Sequence, residues 1–252
     1  MSDGGDSLAT LNAERARLAK PSTLPPARRI RDAGTLLIVD HSHGTARVLM
    51  GRRSSGHVFM PGRYVFPGGR IDPSDLALAR EFSLSELAFD RLCAGPPARF
   101  DRRRATATAL AAIRETFEEA GAMIGATGSF SGKGEYWNAF GARGIRPAPE
   151  MLVPIARAIT PPGPPRRYDT RFFCVSADAI GHQLDLSELP TDELEALAWV
   201  DLDALQDLSL APITLRIVSD LKARIADGTW QDPAHPMPFY RAIRGRFIRE
   251  SL

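Results

Sequence analysis

Residues Ala105 to Gly121 read ATATALAAIRETFEEAG. The spacing predicts one helix with two chemically opposite faces. At about 3.6 residues per turn, Glu115, Glu118 and Glu119 share one side, because i, i+3 and i+4 are helix neighbours. Leu110, Ile113, Phe117 and Ala120 share the other side, which suits a buried stripe. Asp101 or Thr106 can cap the start, and Gly121 can take the left-handed position that ends it. The acidic patch is either a solvated face or a cation site. Exposed like charges at i, i+4 cost only about 0.2–0.5 kcal/mol, so repulsion alone demands no metal. Lining a cleft, two carboxylates ~6 Å apart repel by ~3 kcal/mol at an effective dielectric of about 20. A divalent cation then relieves the repulsion, and hard oxygen donors favour magnesium, manganese or calcium over zinc. Taken alone, the helix favours the solvated face.

A second stretch shifts that balance. Arg63 to Asp72 reads RYVFPGGRID. Tyr64, Val65 and Phe66 have the character of a strand end. Pro67-Gly68-Gly69 breaks it sharply, and a glycine pair lets backbone approach a ligand or ion closely. Together, FPGG and Arg114-Glu115-x-x-Glu118-Glu119-x-Gly121 resemble the signature of the Nudix hydrolases. That signature runs Gly, five residues, Glu, seven residues, then Arg-Glu-U-x-Glu-Glu-x-Gly-U, with U aliphatic. This chain departs from it in three places. Asp75 stands at the first Glu position. Residues 76–113 replace the seven-residue spacer. Thr116 and Ala122 hold the aliphatic positions. A box split by an insertion is similar to the coenzyme A diphosphatase branch of the family. Phe59-Met60-Pro61-Gly62, Val65 to Gly69 and Arg167-Tyr168-Asp169-Thr170-Arg171-Phe172-Phe173 resemble that branch too. The likeness runs from about Gly34 to Leu221.

The resemblance implies an α/β fold, a Nudix-type α/β/α sandwich around a mixed β-sheet. It implies hydrolysis of a nucleoside diphosphate linked to another moiety, with Mg2+ or Mn2+ as cofactor. Glu115, Glu118 and Glu119 would hold the metal, with the Gly69 carbonyl added. Glu118, Glu119, Arg114 and Glu193 would be the catalytic set. Arg114 would orient a Glu by ion pairing, and Glu193, with Glu195 second, would be the general base in the loop before Trp199-Val200. Substrate contacts fall to Gly68, Arg53, Arg166 and Arg167. Coenzyme A, cleaved to 3′,5′-ADP and 4′-phosphopantetheine, is the expected substrate. Arg53, Ser54, Gly62 and Phe66 to Gly69 fit a coenzyme A motif, although Val58 occupies its second Arg position. Arg166 with Arg167, or Arg102 to Arg104, could bind the 3′-phosphate. The rival is an ADP-ribose or NADH pyrophosphatase, which needs a stacking ring such as Tyr136, Trp137 or Tyr168. A non-catalytic binding module is the third reading, and the intact carboxylates argue against it.

The chain has 252 residues and a net charge of +2, too little to argue for nucleic acid from bulk charge. Only Lys20, Lys133 and Lys222 are lysines among 32 Lys+Arg. Arginine suits bidentate phosphate contacts, but a GC-rich genome gives the same bias. Cys93 and Cys174 make no disulfide framework or zinc site, so a reducing cytoplasm is expected. No apolar run is long enough to cross a membrane. The N-terminus lacks a signal pattern, and Glu-Ser-Leu at the end is no peroxisomal address. A small molecule carrying a diphosphate is the expected partner, membrane and nucleic acid are not, and a homodimer is left open.

Along the chain, residues 1–31 read as a polar arm, mobile or loosely docked. Residues 32–228 form the Nudix domain, with 76–104 inserted, and 229–252 a tail without a role. Thr35 to Val39 and Ala46 to Met50 are a strand pair around His41-Ser42-His43-Gly44. Ser83-x-x-Glu86 predicts a capping box for a helix to about Leu92, in an insertion expected to cover the pocket. Gly128 to Lys133 fails the Walker pattern, because Thr127 and Gly134 stand at the diagnostic positions. Leu152 to Ile159, Arg171 to Val175 and Ala198 to Val200 read as strands. Pro212 to Asp227 reads as a helix closed by Gly228.

Overall fold

Strict alternation along residues 36–39 decides where the core lies. Leu36 and Ile38 belong to one apolar cluster, Leu37 and Val39 to another, and all four are fully buried. A strand that buries both faces must be the centre of a sheet covered on both sides. The computed structural model describes residues 4–18, 29–54, 62–95, 97 and 99–252. Phe59 to Pro61 and Val58 lie outside the described residues.

Helix α1 (Gly4–Leu18) is followed by strands β1 (Ile30–His43), β2 (Thr45–Arg53), β3 (Tyr64–Val65) and β4 (Gly68–Arg70). Then come α2 (Pro73–Leu78), α3 (Glu86–Cys93), α4 (Arg102–Ala120), β5 (Ala122–Thr127), α5 (Glu135–Ala142) and β6 (Ile145–Pro147). Strands β7 (Val153–Ile159), β8 (Arg167–Ser176), β9 (Ile180–Gln183) and β10 (Leu194–Asp201) precede α6 (Pro212–Ala226) and the hairpin β11 (Pro238–Ile243) and β12 (Arg246–Ser251). The main sheet runs β10-β2-β1-β8-β7-β11-β12, with β3 on β2 and β4 on β1. It is mixed: β1 and β8, and β7 and β11, pair in parallel, and the other pairs are antiparallel. A small sheet, β6-β5-β9, stands beside it. One cluster packs α4 and the insertion on one face, and the other packs α6 on the opposite face. This is an α/β/α sandwich around a mixed sheet.

The central helix differs from its expectation in one respect. Asp101 caps it through the Arg104 N–H, and Gly121 ends it at φ 70°. Its acidic side is not solvated. Glu119 is 2 % exposed, and the turns around it are buried on nearly every side. The reason lies under it, at Gly34 of β1. A Cβ there would come within 2.2 Å of the Thr108 carbonyl, so α4 sits closer to the sheet than any side chain at residue 34 would allow.

Both ends of the chain join the domain. Leu11 of α1 is 1 % exposed, and α1 packs against α6 and β12. From Pro238, the tail continues the main sheet through β7. The insertion begins within α2 and holds α3. Asp72 caps α2 in a capping box with Asp75. Ser85, not Ser83, caps α3. The stretch from Gly125 to Gly144 holds the end of β5 and all of α5, and Trp137 and Phe140 of α5 are core residues.

Candidate active site

Arg114 is the hub of the site. Its Nε lies 3.0 Å from Asp75 Oδ1, and its Nη2 donates to the Arg70 carbonyl at 3.0 Å. Its Nη1 reaches Glu118 at 2.5 Å and Glu115 at 3.0 Å. The guanidinium therefore ties α2, β4 and two turns of α4 together. Burial alone would lower its pKa, but the Asp75 hydrogen bond and the surrounding carboxylates reverse that and raise it. Asp75, at the position where the signature has Glu, is fully buried and holds Arg114 while closing the α2 capping box. Skipping five residues after Gly69 locates this position; nothing in the local sequence reveals its partner.

Glu119 turns toward the glycine loop. It accepts a hydrogen bond from the Gly68 N–H at 3.0 Å. Burial holds its carboxyl well above the usual range, Glu115 and Glu193 push it further, and Arg53 and the Gly68 N–H oppose the shift. Glu115 is pushed up to about 7, chiefly by burial, against the pull of Arg114. Burial also raises Glu118. The Glu115 carboxylate rests on Gly69, where an added Cβ would come within 2.4 Å of its Cδ. Only glycine leaves that cradle open.

Glu193 stands at the start of β10. It pairs with Arg53 at 3.0 Å, and its carbonyl accepts from the Ser54 N–H at 3.2 Å. The strand pair β2–β10 carries Arg53 and Glu193 to within electrostatic reach of Glu119. Glu195, the second candidate base, instead pairs with Arg52 near the surface. Tyr136 of α5 feels Glu118, and its phenol is raised first by burial and then by that charge. Trp137, offered as a stacking ring, is 1 % exposed in the core.

Arg166 and Arg167 are not part of this constellation. They line a separate cleft with Arg29, Arg31, Arg70 and Tyr168. Arg102 to Arg104 are not a phosphate clamp, because each has a structural partner. Arg102 pairs with Glu86, Arg103 donates to the Leu76 carbonyl at 2.9 Å, and Arg104 donates to Asp32 at 2.8 Å. The histidine pair is equally occupied: His43 bonds Ser42, and His41 packs on Trp230.

Among the described residues, no three His, Cys, Asp or Glu side chains converge as a ready cation cage. Arg114 holds Glu118 and Glu115, and one Glu119 oxygen is on Gly68. The donor chemistry nonetheless fits a hard divalent cation. The Glu115 charge, one turn away, raises the cost of ionising the buried Glu119, and added positive charge removes it.

No family model matches the chain. Over 169 residues it is 27 % identical to a Caenorhabditis elegans protein provisionally named nudix hydrolase 7, covering 62 % of this chain. The chain spans about half the length of that relative, 47 %. Its fold is similar to the crystal structure of a NUDIX hydrolase from Alicyclobacillus acidocaldarius, with a TM-score of 0.59 and 29 % identity. That match covers 80 % of this chain and 93 % of the other. Among the described residues no helix is long and apolar enough to cross a membrane.

Proposed function

We infer from fold, kinship and site that this chain is a Nudix hydrolase, a pyrophosphohydrolase acting on a diphosphate-linked small molecule with a divalent cation. The observation that carries this reading is the buried Glu119 and the partly buried Glu115 facing the Gly68-Gly69 loop. Carboxylates are rarely buried without a cation partner, and Arg114 satisfies only one side of this group. Glu115 and Glu119 would hold Mg2+ or Mn2+, with the Gly69 carbonyl beside them. When bound, the cation neutralises the diphosphate and lowers the cost of charge on the attacking and leaving oxygens.

The chain's own residues then have distinct tasks. Arg114 is a positioning residue, since its contacts are Asp75, Glu115, Glu118 and the Arg70 carbonyl. Glu118 spans Arg114 and the site's edge. Glu193 would take the proton from water, with Arg53 holding it in place. The Gly68 backbone brings the loop against the scissile group.

The finer reading is coenzyme A. It is supported by the box split at residues 76–113 and by Arg167 to Phe173, which forms the first part of β8. The alternative, ADP-ribose or NADH, is favoured by Tyr136, an aromatic ring beside Glu118. A panel of coenzyme A, dephospho-coenzyme A, NADH and ADP-ribose with Mg2+, with products identified by mass, tests both. Release of 3′,5′-ADP and 4′-phosphopantetheine is expected. Preference for ADP-ribose or NADH gives the site to the alternative, and no turnover of any of them overturns the enzyme reading.

A further inference from the structure

Arg29, Arg31, Arg70, Arg166 and Arg167 line one cleft of about 640 Å3 with Tyr168, and among the described residues no carboxylate lines it. That volume suits a nucleotide-sized group. The strand registers bring these residues together. Arg31 lies opposite Tyr168, and Arg70 lies opposite Ala33, two residues along β1. Alternation places Arg31 and Ala33 on one sheet face and turns Asp32 to the other. There Asp32 is taken by Arg104 and flanked by Arg171. Asp32, next to Arg31, is thus removed from the cleft, and Asp169, next to Tyr168, is taken by Arg157. Among the described residues Arg29, Arg31, Arg70 and Arg166 have no ion-pair partner. The loop that presents Arg166 and Arg167 is pinned: the Arg167 Nε donates to the Thr160 carbonyl at 2.9 Å, and the Tyr168 N–H to the Thr160 hydroxyl at 3.1 Å.

Convergent, mutually repelling guanidiniums on fixed backbone are matched to a polyanion, and their planar forks suit phosphate oxygens. The cleft also adjoins the site. Arg70 follows Gly69 directly, and its carbonyl accepts from Arg114. Gly34, the register partner of Gly69, lies three residues from Arg31, roughly 10 Å along a strand. We propose that this cleft binds a phosphomonoester of the substrate, distinct from the diphosphate that is cleaved. The proposal rests on the pyrophosphohydrolase reading and narrows its substrate class to diphosphates carrying a further phosphate.

Calorimetric binding to the full chain without divalent metal tests the cleft apart from turnover. The probes are adenosine 3′,5′-bisphosphate, 5′-AMP and inorganic pyrophosphate. The bisphosphate is expected to bind at least tenfold more tightly than 5′-AMP. In the double variant Arg31→Gln/Arg166→Gln that preference should vanish with 5′-AMP affinity unchanged; both side chains are exposed, and an unchanged melting temperature confirms the fold. A second variant, Arg70→Gln, should weaken the same preference. Equal affinity for the bisphosphate and 5′-AMP, or a preference that survives in both variants, overturns the proposal. Pyrophosphate binding as tightly as the bisphosphate assigns the cleft to free polyphosphate and overturns it too. Failure of hydrolysis with the preference intact would count against the enzyme reading alone.

Discussion

Glu119 and Gly69 make the site testable one atom at a time. Glu119→Gln keeps an oxygen for the Gly68 N–H and removes only the charge. We expect kcat to fall by about 100-fold or more, in the range seen when a group that stabilises developing charge is lost. A cation that binds the native state alone raises its stability. Addition of Mg2+ should therefore raise the melting temperature of the parent chain, and chelation should reverse the rise. In Glu119→Gln the shift should be absent; an undiminished shift would remove Glu119 from the metal site. Gly69→Ala probes the cradle independently. Its Cβ would have to displace the Glu115 carboxylate, from a separation of 2.4 Å. Hydrolysis should drop at least tenfold while the fold, read by circular dichroism, is retained. Parent-like turnover would show that the position of Glu115 is immaterial.

At the scale of elements, what was legible was what repeats at short range. The α4 period, its Asp101 cap and its Gly121 stop follow from local chemistry, and the helix is where they place it. The β1–β2 pair around Gly44 is equally local. The direction in which α4 presents its acids was not local, because it depends on a backbone approach at Gly34, far away in sequence. The pairing of Arg53 with Glu193 was hidden for the same reason: the two are brought together by β2–β10 pairing. Arg166 and Arg167 were recognisable as cationic, yet their cleft partners Arg29, Arg31 and Arg70 come from two other strands and the approach to β1. The insertion shows the limit most clearly. Its helix α3 was foreseen two residues early at the cap, but its anchor was not. Arg157 and Arg171, buried on β7 and β8, donate to the Ala94 and Leu92 carbonyls at the end of α3. Asp169 holds both, bidentate to Arg157 at 2.8 and 2.6 Å and 3.4 Å from Arg171. Removing one partner of such a buried group leaves unpaired charge, which costs about 3–5 kcal/mol. Asp169→Ala should lose stability of that order in urea unfolding, with faster proteolysis within residues 76–100. A loss below about 1 kcal/mol, the scale of a surface pair, would show that the network does not anchor the insertion.

The molecule as a whole closes through its C-terminal hairpin, which the sequence pattern left without a role. Tyr240 on β11 is where three elements meet. Its hydroxyl donates to Asp220 of α6 and accepts from Arg216 of α6 and Arg249 of β12, each at 3.1 Å. The helix layer and the far end of the sheet are thereby joined through one phenol. Burial, then the Asp220 charge, pushes that phenol up from 10.0 to about 12. The consequence for stability has a definite sign. Between pH 10 and 12 the folded protein retains a proton that the unfolded chain has lost. The unfolded state binds fewer protons there, so stability falls as pH rises through this window. Two pKa units correspond to about 2–3 kcal/mol at most. Tyr240→Phe has no proton to lose and should show a flatter decline over the same window, even though its stability at pH 8 is lower. Urea midpoints measured from pH 8 to 12 for both proteins give the comparison. Parallel curves would mean that Tyr240 ionises alike in the folded and unfolded chains, and that the hairpin is held by its apolar contacts and its pairing with β7 rather than by this hydrogen-bonded junction.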